Sequence, residues 1–402
     1  MSIPTLYDSR PDVQDHYKDT TLALTNHFNR FVDLDLPKIR TLHNASFVVH
    51  HSGKKSQAVA WTDDGETVEG PGWIRLDEIP KQFKQPVPTR VLKDGDYVAF
   101  TSWFEGNFGH YLDDHLPSIA YLRSIAPATT KFLLVDTPLA RNVMDYLDPD
   151  FARERIVWIQ IRECVRVEGS MTVAIPHSIP LMHGQGRGHV YLRKWINEHH
   201  PYNPDTPKQV VYYSRGSADT HHSRKVDPEH EEKVLETIRA KMQQHGKEER
   251  LVVFNGLDKD PSGTNNTKTM SISKQASIFR SASTIIGPHG AGMLGNLIWV
   301  NPFPTDCQQR PKTLEFVPGQ ESEHVQSLYR SMFIRWRHWP VDFGVILYTK
   351  ESTHDTTYVD LHELELALDA MWGPKEPTQQ TSNAHGDSPR TNGLRGESTK
   401  VE

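Results

Sequence analysis

Residues 285–297 read IIGPHGAGMLGNL, a β-branched pair followed by a glycine-rich turn and an apolar segment with helical spacing. This order predicts a buried strand, a tight turn and the N-terminus of a helix. Gly290 and Gly292 allow backbone N–H groups to approach a ligand closely, and the first turn of a helix carries unpaired donors. Such a turn is typical of an anion site, most often for phosphate, with His289 placed at its mouth to donate a further hydrogen bond. Close packing of the helix on the sheet explains the same glycines equally well.

Strands and helices alternate in two separate runs of the chain. In residues 96–200, β-branched segments that predict strands alternate with helical segments, and a second run of the same kind covers 208–372. Such alternation is typical of parallel sheets covered by helices on both faces. We therefore expect an α/β protein with two such domains, in which residues 1–95 form a mixed α/β lead-in to the N-terminal domain. Residues 373–402 lack aromatic side chains and are expected to be disordered.

Composition excludes several classes of protein. The chain has 402 residues and a net charge of −6, so it has no excess of basic residues with which to bind nucleic acid. Its two cysteines, Cys164 and Cys307, are too few for a disulfide framework and have no zinc-site spacing. No run of about 18 apolar residues predicts a membrane segment, so the chain as written is expected in the cytoplasm.

A second informative segment, NFGHYLDDHLP, occupies residues 107–117 and opens a predicted helix. His110 and Asp114 are four residues apart and therefore share one helix face. A carboxylate beside an imidazole at the carboxyl end of a strand can act as a general base. The alternative is an acid-rich helix N-terminus, which the helix dipole favours without any catalytic role.

A third segment, YYSR at residues 212–215, ends a predicted strand. Arg215 lies just past the strand end, on the side of a parallel sheet where open α/β folds bind ligands. A guanidinium there can bind a diphosphate through two parallel hydrogen bonds. A surface ion pair with a neighbouring acid remains the alternative.

Taken together, these segments resemble glycosyltransferase family 61. The family pattern consists of an Asn-x-Gly-His-x-Leu-x-Asp-x-x-Pro block, a Tyr-x-Ser-Arg block, a Gly-Pro-His-Gly-Ala-Gly turn and a Glu on the next strand. The same elements occur here in the same order, at residues 107–117, 212–215, 287–292 and Glu315. The resemblance implies two Rossmann-like domains of the GT-B type that face a cleft. It also implies inverting, metal-independent transfer of a sugar from a nucleotide-diphosphate donor, with UDP-sugar the first choice, to a hydroxyl of a glycan or glycoprotein.

The resemblance also assigns site residues. Asp114 falls on the family Asp and is the expected base, and His110 is expected to orient it or contact the acceptor. Asn107 and Asp113 are expected on the acceptor side, although Asp113 falls on a variable position of the family pattern. The donor is expected to be bound by a larger set of residues, of which the last contacts the ribose hydroxyls: Arg215, Arg224, His289, Gly290, Ala291, Gly292 and Glu315. No cofactor or metal is expected. One carboxylate suffices for inversion, whereas a glycosidase needs two that flank the scissile bond.

The chain departs from the family pattern in three respects. Asp227-Pro228-Glu229 stands where the helix after the Tyr-x-Ser-Arg block usually opens with Asn-Glu, and the stretch at 301–310 is longer than the usual turn before the Glu strand. The second departure bears on the placement of Glu315. Many eukaryotic members are anchored in the Golgi membrane, so the Golgi lumen is the alternative location if an anchor precedes this sequence.

Three competing interpretations rest on other residues. A metal-dependent GT-A transferase would use an Asp-x-Asp motif, which occurs at 94–96 and at 33–35, although Asp94-Gly95 is also a common turn before a strand. A non-catalytic protein that binds sugar nucleotides or glycans could use the same scaffold. A zinc hydrolase would have to use the histidine pairs at 50–51 and 221–222, which lack a carboxylate or cysteine at ligand spacing.

Overall fold

The computed structural model describes residues 38–52, 55–62, 64, 67–68, 87–93, 95–100, 106–175, 188–215, 225–259, 267–300, 311–318, 342–350 and 356–373. Within these ranges the chain is a mixed α/β protein with several sheets, none of which closes into a barrel. The α/β fold class predicted from the sequence is confirmed at this level. The predicted disordered tail at 373–402, except for Gly373, and all of residues 1–37 and 69–86 lie outside the described residues.

Two sheets form the part of the chain before residue 176. Their strands are β1 Lys38–His43, β2 Ser46–Ser52, β3 Lys55–Trp61, β4 Thr67–Val68, β5 Arg90–Leu92, β6 Asp96–Phe100, β7 Lys131–Val135, β8 Ile156–Ile159, β9 Cys164–Val167 and β10 Ser170–Ile175. One sheet has the order β1-β10-β6-β7-β8, in which the last four strands are parallel and β1 is antiparallel to β10. The other has the order β4-β3-β2-β9-β5 and is mainly antiparallel.

The helices of this part follow from local capping chemistry. They are α1 Phe108–His110, α2 Leu116–Ile125, α3 Pro138–Leu147, α4 Pro149–Glu154 and α5 Gly188–His199, with a π-helical turn at Tyr111–His115 between α1 and α2. The side chains of Asn107, Thr137 and Asp148 accept hydrogen bonds from the first turns of α1, α3 and α4, as N-cap residues do. The sequence predicts one helix over 107–124, and the π turn interrupts it; such turns often occur at functional sites.

A larger sheet dominates the rest of the chain. Its strands and the flanking elements are β11 Gln209–Tyr213, β12 Lys225–Val226, α6 Pro228–Gln244, β13 Arg250–Phe254, β14 Leu257–Lys259, β15 Thr267–Thr269, α7 Ile272–Arg280, β16 Ala282–Pro288, α8 Ala291–Asn296, a 3₁₀ turn Leu297–Trp299, β17 Lys312–Pro318, β18 Asp342–Lys350, β19 Thr356–Tyr358 and α9 Leu361–Trp372. The order is β12-β19-β18-β17-β16-β11-β13, and the five strands from β18 to β13 are parallel. Strands β14 and β15 form a separate antiparallel pair.

One hydrophobic cluster extends through both parts of the chain. It contains Leu116 and Trp195 from the helices of the first part and Phe279 and Trp299 from the second, all buried. The two predicted domains, 96–200 and 208–372, therefore share core contacts near the glycine-rich turn, and their division into separate domains stays a prediction. No helix in the described ranges is long and apolar enough to cross a membrane.

Candidate functional site

The glycine-rich turn joins the end of β16 to the start of α8, as the sequence predicts. His289 donates its backbone N–H to the carbonyl of Phe316 at 2.9 Å, and the N–H of Leu294 donates to the carbonyl of Gly290 at 3.0 Å. No side chain caps α8 at Gly290. Gly287 has a φ of +155°, and a Cβ there would lie 2.5 Å from the carbonyl oxygen of Tyr213, so only glycine fits at this position.

Side chains from the end of β11 fill the space beside the turn glycines. Arg215 donates from Nη1 to the carbonyl of His289 at 2.8 Å, and a Cβ at Gly290 would collide with its guanidinium. A Cβ at Gly292 would lie 2.7 Å from the hydroxyl of Tyr213. Close packing therefore accounts for both glycines, and the packed groups belong to the Tyr-x-Ser-Arg block. Ala291, the first residue of α8, is exposed.

His289 and Glu315 form a buried pair beneath the turn. The Nδ1 atom of His289 is hydrogen-bonded to Oε1 of Glu315, and the two side chains are 5% and 0% exposed. Glu315 is the register partner of Gly287 across the parallel β16–β17 pair, and residues 287 and 289 face the same side of an extended chain. The sequence places His289 at the mouth of the turn and Glu315 on the ribose. In the structure both are buried and bind each other, because strand register joins their side chains.

The Asn107–His110 segment packs directly on the glycine-rich turn. A Cβ at Gly109 would lie 2.8 Å from Cβ of Ala291, and a Cβ at Gly295 would lie 2.9 Å from the ring of Phe108. Asn107 accepts a hydrogen bond from the backbone N–H of His110 at 3.2 Å, and the His110 side chain is half-buried. Three blocks that are far apart in the sequence therefore meet at one place.

A second group of polar side chains is buried behind this segment. Asp113 is 4% exposed and lies with Oδ1 3.5 Å from Nε2 of His189, which is fully buried on α5. His115 is 1% exposed and packs edge-on against the rings of Phe100 and Tyr111. Asp113 thus faces the interior, and the sequence pattern did not single out His115 or His189, since neither forms part of a recognisable spacing.

The side chains of two predicted site residues lie outside the described part of the structure. The backbone of Asp114 lies in the π-helical turn, and its side chain lies outside the described part of the structure. Arg224 lies in the segment 216–224, also outside it. Their roles as base and donor ligand therefore stay predictions.

Glu231, on the first turn of α6, binds two residues of the Tyr-x-Ser-Arg block. Its carboxylate accepts hydrogen bonds from Tyr212 at 3.1 Å and Ser214 at 3.2 Å. Burial raises the pKa of Glu231 by more than the hydrogen bonds from Ser214 and Tyr212 lower it. Burial and the nearby Glu231 also raise the pKa of the Tyr212 hydroxyl. Because alternate strand residues face opposite sides, Tyr212 and Ser214 bind Glu231, whereas Tyr213 and Arg215 contact the glycine-rich turn.

The residues invoked by the competing interpretations show no metal-binding arrangement where the structure describes them. No group of three or more His, Cys, Asp or Glu side chains in the described ranges is arranged to hold a metal ion. Asp33, Asp35, Asp94 and the pair at 221–222 lie outside those ranges, as do the side chains at 50–51. Cys164 is a buried thiol whose pKa burial raises to about 11. Cys307 also lies outside the described ranges.

Comparison with protein families gives a match to the family described as Glycosyltransferase 61, over residues 108–306. The matched span begins at α1 and contains the Tyr-x-Ser-Arg block and the glycine-rich turn, and it ends before Glu315. No curated protein matches the chain significantly. Except for Asn107, the family match covers the three blocks that the fold brings together.

Proposed function

This chain belongs to glycosyltransferase family 61, and we propose that it transfers a sugar from a UDP-sugar to a hydroxyl of a glycan or glycoprotein with inversion at the anomeric carbon. Transfer of a glycosyl group follows from the family. The donor nucleotide, the acceptor and the stereochemical course are the further content of the proposal.

The observation that carries the proposal is the position of Arg215 against the glycine-rich turn. Its Nη1 is bound to the carbonyl of His289, and its buried Nε has no hydrogen-bond partner among the described residues. None of the ion pairs formed between described residues involves Arg215. A partly buried cation with no counter-ion among the described residues favours an anionic ligand, and a guanidinium matches the geometry of phosphate oxygens.

The topology supports a GT-B arrangement for this site. Arg215 and His289 both follow the carboxyl ends of neighbouring parallel strands, β11 and β16, where open α/β sheets bind their ligands. The first part of the chain contributes a second, mainly parallel sheet, and its Asn107–His110 segment packs on the turn. We infer that the donor nucleotide binds to the C-terminal sheet and that the acceptor approaches from the Asn107–His110 side.

The proposed chemistry needs one base and a stabilised leaving group. Asp114 takes the proton from the acceptor hydroxyl as that oxygen attacks the anomeric carbon, and the nucleoside diphosphate departs from the opposite face. Negative charge gathers on the departing diphosphate, where Arg215 and the turn N–H groups stabilise it. The reaction then proceeds without a metal ion.

Turnover of an Asp114→Asn variant tests the base. The assay measures UDP release from a panel of UDP-sugars in the presence of glycan acceptors, with Asp150→Asn on the exposed face of α4 as the matched control. We expect Asp114→Asn to abolish transfer while UDP still binds, and the control to retain full activity. Transfer at the wild-type rate by Asp114→Asn would assign the base to another residue, and no transfer by the wild type with any donor would contradict the proposed reaction.

A further inference from the structure

We propose that Glu315 is a positioning residue for the donor diphosphate: it holds the His289 ring so that Nε2 presents an N–H group to a phosphate oxygen. The inference rests on the proposed donor site. It differs from the role expected from the sequence, in which Glu315 accepts hydrogen bonds from the ribose.

The burial of Glu315 is the first argument. Its side chain is fully buried, Oε1 is bound to His289, and Oε2 has no hydrogen-bond partner among the described residues. An ionised carboxylate is costly to bury unless a cation or hydrogen-bond donors compensate its charge. Among the described residues, the His289 imidazole is the group that contacts this carboxylate and can carry the compensating charge.

The fixed orientation of His289 is the second argument. Its backbone N–H is bound to Phe316, its carbonyl to Arg215, and its Nδ1 to Glu315. These three contacts fix both the main chain and the ring. Nε2 lies on the side of the ring away from the carboxylate, and the same residue's carbonyl binds the proposed phosphate ligand Arg215.

Proton placement determines what Nε2 can do. A carboxylate that binds Nδ1 keeps a proton on that nitrogen and, through its negative charge, favours a second proton on Nε2. The ring is then an imidazolium, which can donate from Nε2 to a diphosphate oxygen. A neutral ring with its proton on Nδ1 would instead direct a lone pair at the phosphate. The charge on Glu315 therefore selects the protonation state that binds the donor.

Substitution by glutamine separates the charge of Glu315 from its hydrogen bond. In Glu315→Gln the amide oxygen can still accept from Nδ1 of His289, but the negative charge that favours the imidazolium is gone. We expect the affinity for UDP to fall at least about tenfold at neutral pH, the scale of one charge-assisted hydrogen bond. We expect the affinity for uridine, which has the ribose but no phosphate, to remain unchanged.

Isothermal titration of the full-length protein with UDP and with uridine tests the proposal. Glu365→Gln, on the exposed face of α9, is the matched control and should bind both ligands as the wild type does. A selective loss of UDP affinity in Glu315→Gln supports the positioning role. Equal losses for UDP and uridine would assign Glu315 to the ribose, and unchanged UDP affinity would exclude any role in donor binding; either result overturns the inference.

A second measurement tests the same inference in case the Glu315→Gln variant does not fold. In the wild type, ¹⁵N spectra of labelled imidazoles, with His289 assigned from a His289→Gln variant, should show both ring nitrogens protonated in the UDP complex. A lone pair on Nε2 in that complex would refute the inference while leaving the donor site intact. Failure of the wild type to bind UDP at all would instead refute the proposed function, and with it the role of Glu315.

Discussion

Replacing Gly109 with alanine places a methyl group 2.8 Å from Cβ and 3.0 Å from Cα of Ala291. Neither atom belongs to a flexible side chain, so the Asn107–His110 segment and α8 must move apart. Ordinary contact between carbon atoms begins at about 3.5 Å, and the required separation is therefore about 0.7 Å. Because the methyl group enters the contact between two of the three blocks, the displacement falls within the proposed active site.

The substitution is expected to lower both stability and catalysis. Overpacking costs about 1–3 kcal/mol, and the better helix propensity of alanine offsets up to about 1 kcal/mol of it, so the free energy of unfolding should fall by no more than about 3 kcal/mol. A misplacement of about 1 Å between reacting groups can reduce a rate about 100-fold. We therefore expect Gly109→Ala to lower kcat/KM for sugar transfer about 10- to 100-fold.

Gly106→Ala is the matched control for this experiment. Gly106 is exposed, and a Cβ there would meet no atom within 4 Å. Denaturant unfolding and UDP release should be measured for both variants, and the control should match the wild type in both. Equal kcat/KM for the two variants would show that close contact between the Asn107–His110 segment and α8 is not needed, which would refute the reasoning from the structure.

Three further predictions follow from single contacts. Arg215→Ala should weaken UDP binding by about 1.5–3 kcal/mol in titration calorimetry, the value of a charge-assisted hydrogen bond, and unchanged affinity would move the diphosphate site elsewhere. Asp148→Ala should lower the free energy of unfolding by about 2–4 kcal/mol in a urea titration, because the N-cap of α4 is lost and a buried indole N–H is left unpaired; a loss under 1 kcal/mol would contradict this. Burial acts to raise the pKa of Asp369, but hydrogen bonds from Lys241 and His245 outweigh it and lower that pKa. The ionised Asp369 therefore stabilises the fold fully above its unfolded-state pKa of about 3.9, and this contribution is lost as the pH falls through the lower folded-state pKa. Asp369→Asn should flatten the pH dependence of the free energy of unfolding in that acid range. A variant with the same pH profile as the wild type would contradict this prediction.

Local capping chemistry explains why several elements were predictable from the sequence. The sequence predicts a charged amphipathic helix at 228–244 and a closing helix at 361–372, and the structure has helices with those same bounds. Asp227 and Asp360 each accept hydrogen bonds from two N–H groups of the first turn, and these signals stand in the sequence itself. The sequence does not predict strand β18, which lies beside β17 in the sheet. A short apolar run can be a buried strand or part of a buried helix, and periodicity does not distinguish the two.

The blocks that meet at the glycine-rich turn could be identified from the sequence, but their mutual contacts could not. The glycine-rich turn, Arg215 and the Asn107–His110 segment were all identified from spacing. The pairing of His289 with Glu315 depends on the register between β16 and β17, which no local pattern encodes. The same holds for Glu231, whose role depends on where α6 packs against the end of β11.

Nucleotide binding in the absence of metal tests the central claim most directly. Thermal unfolding should be followed with UDP, GDP, CMP and ADP, each in the presence of a chelator and of Mn²⁺. We expect UDP to stabilise the protein in chelator, by about 2.7 kcal/mol at 100 times its Kd, and Arg215→Ala to reduce this effect. Stabilisation only with Mn²⁺ would favour a metal-dependent transferase, and no response to any nucleotide would contradict a donor site at the glycine-rich turn.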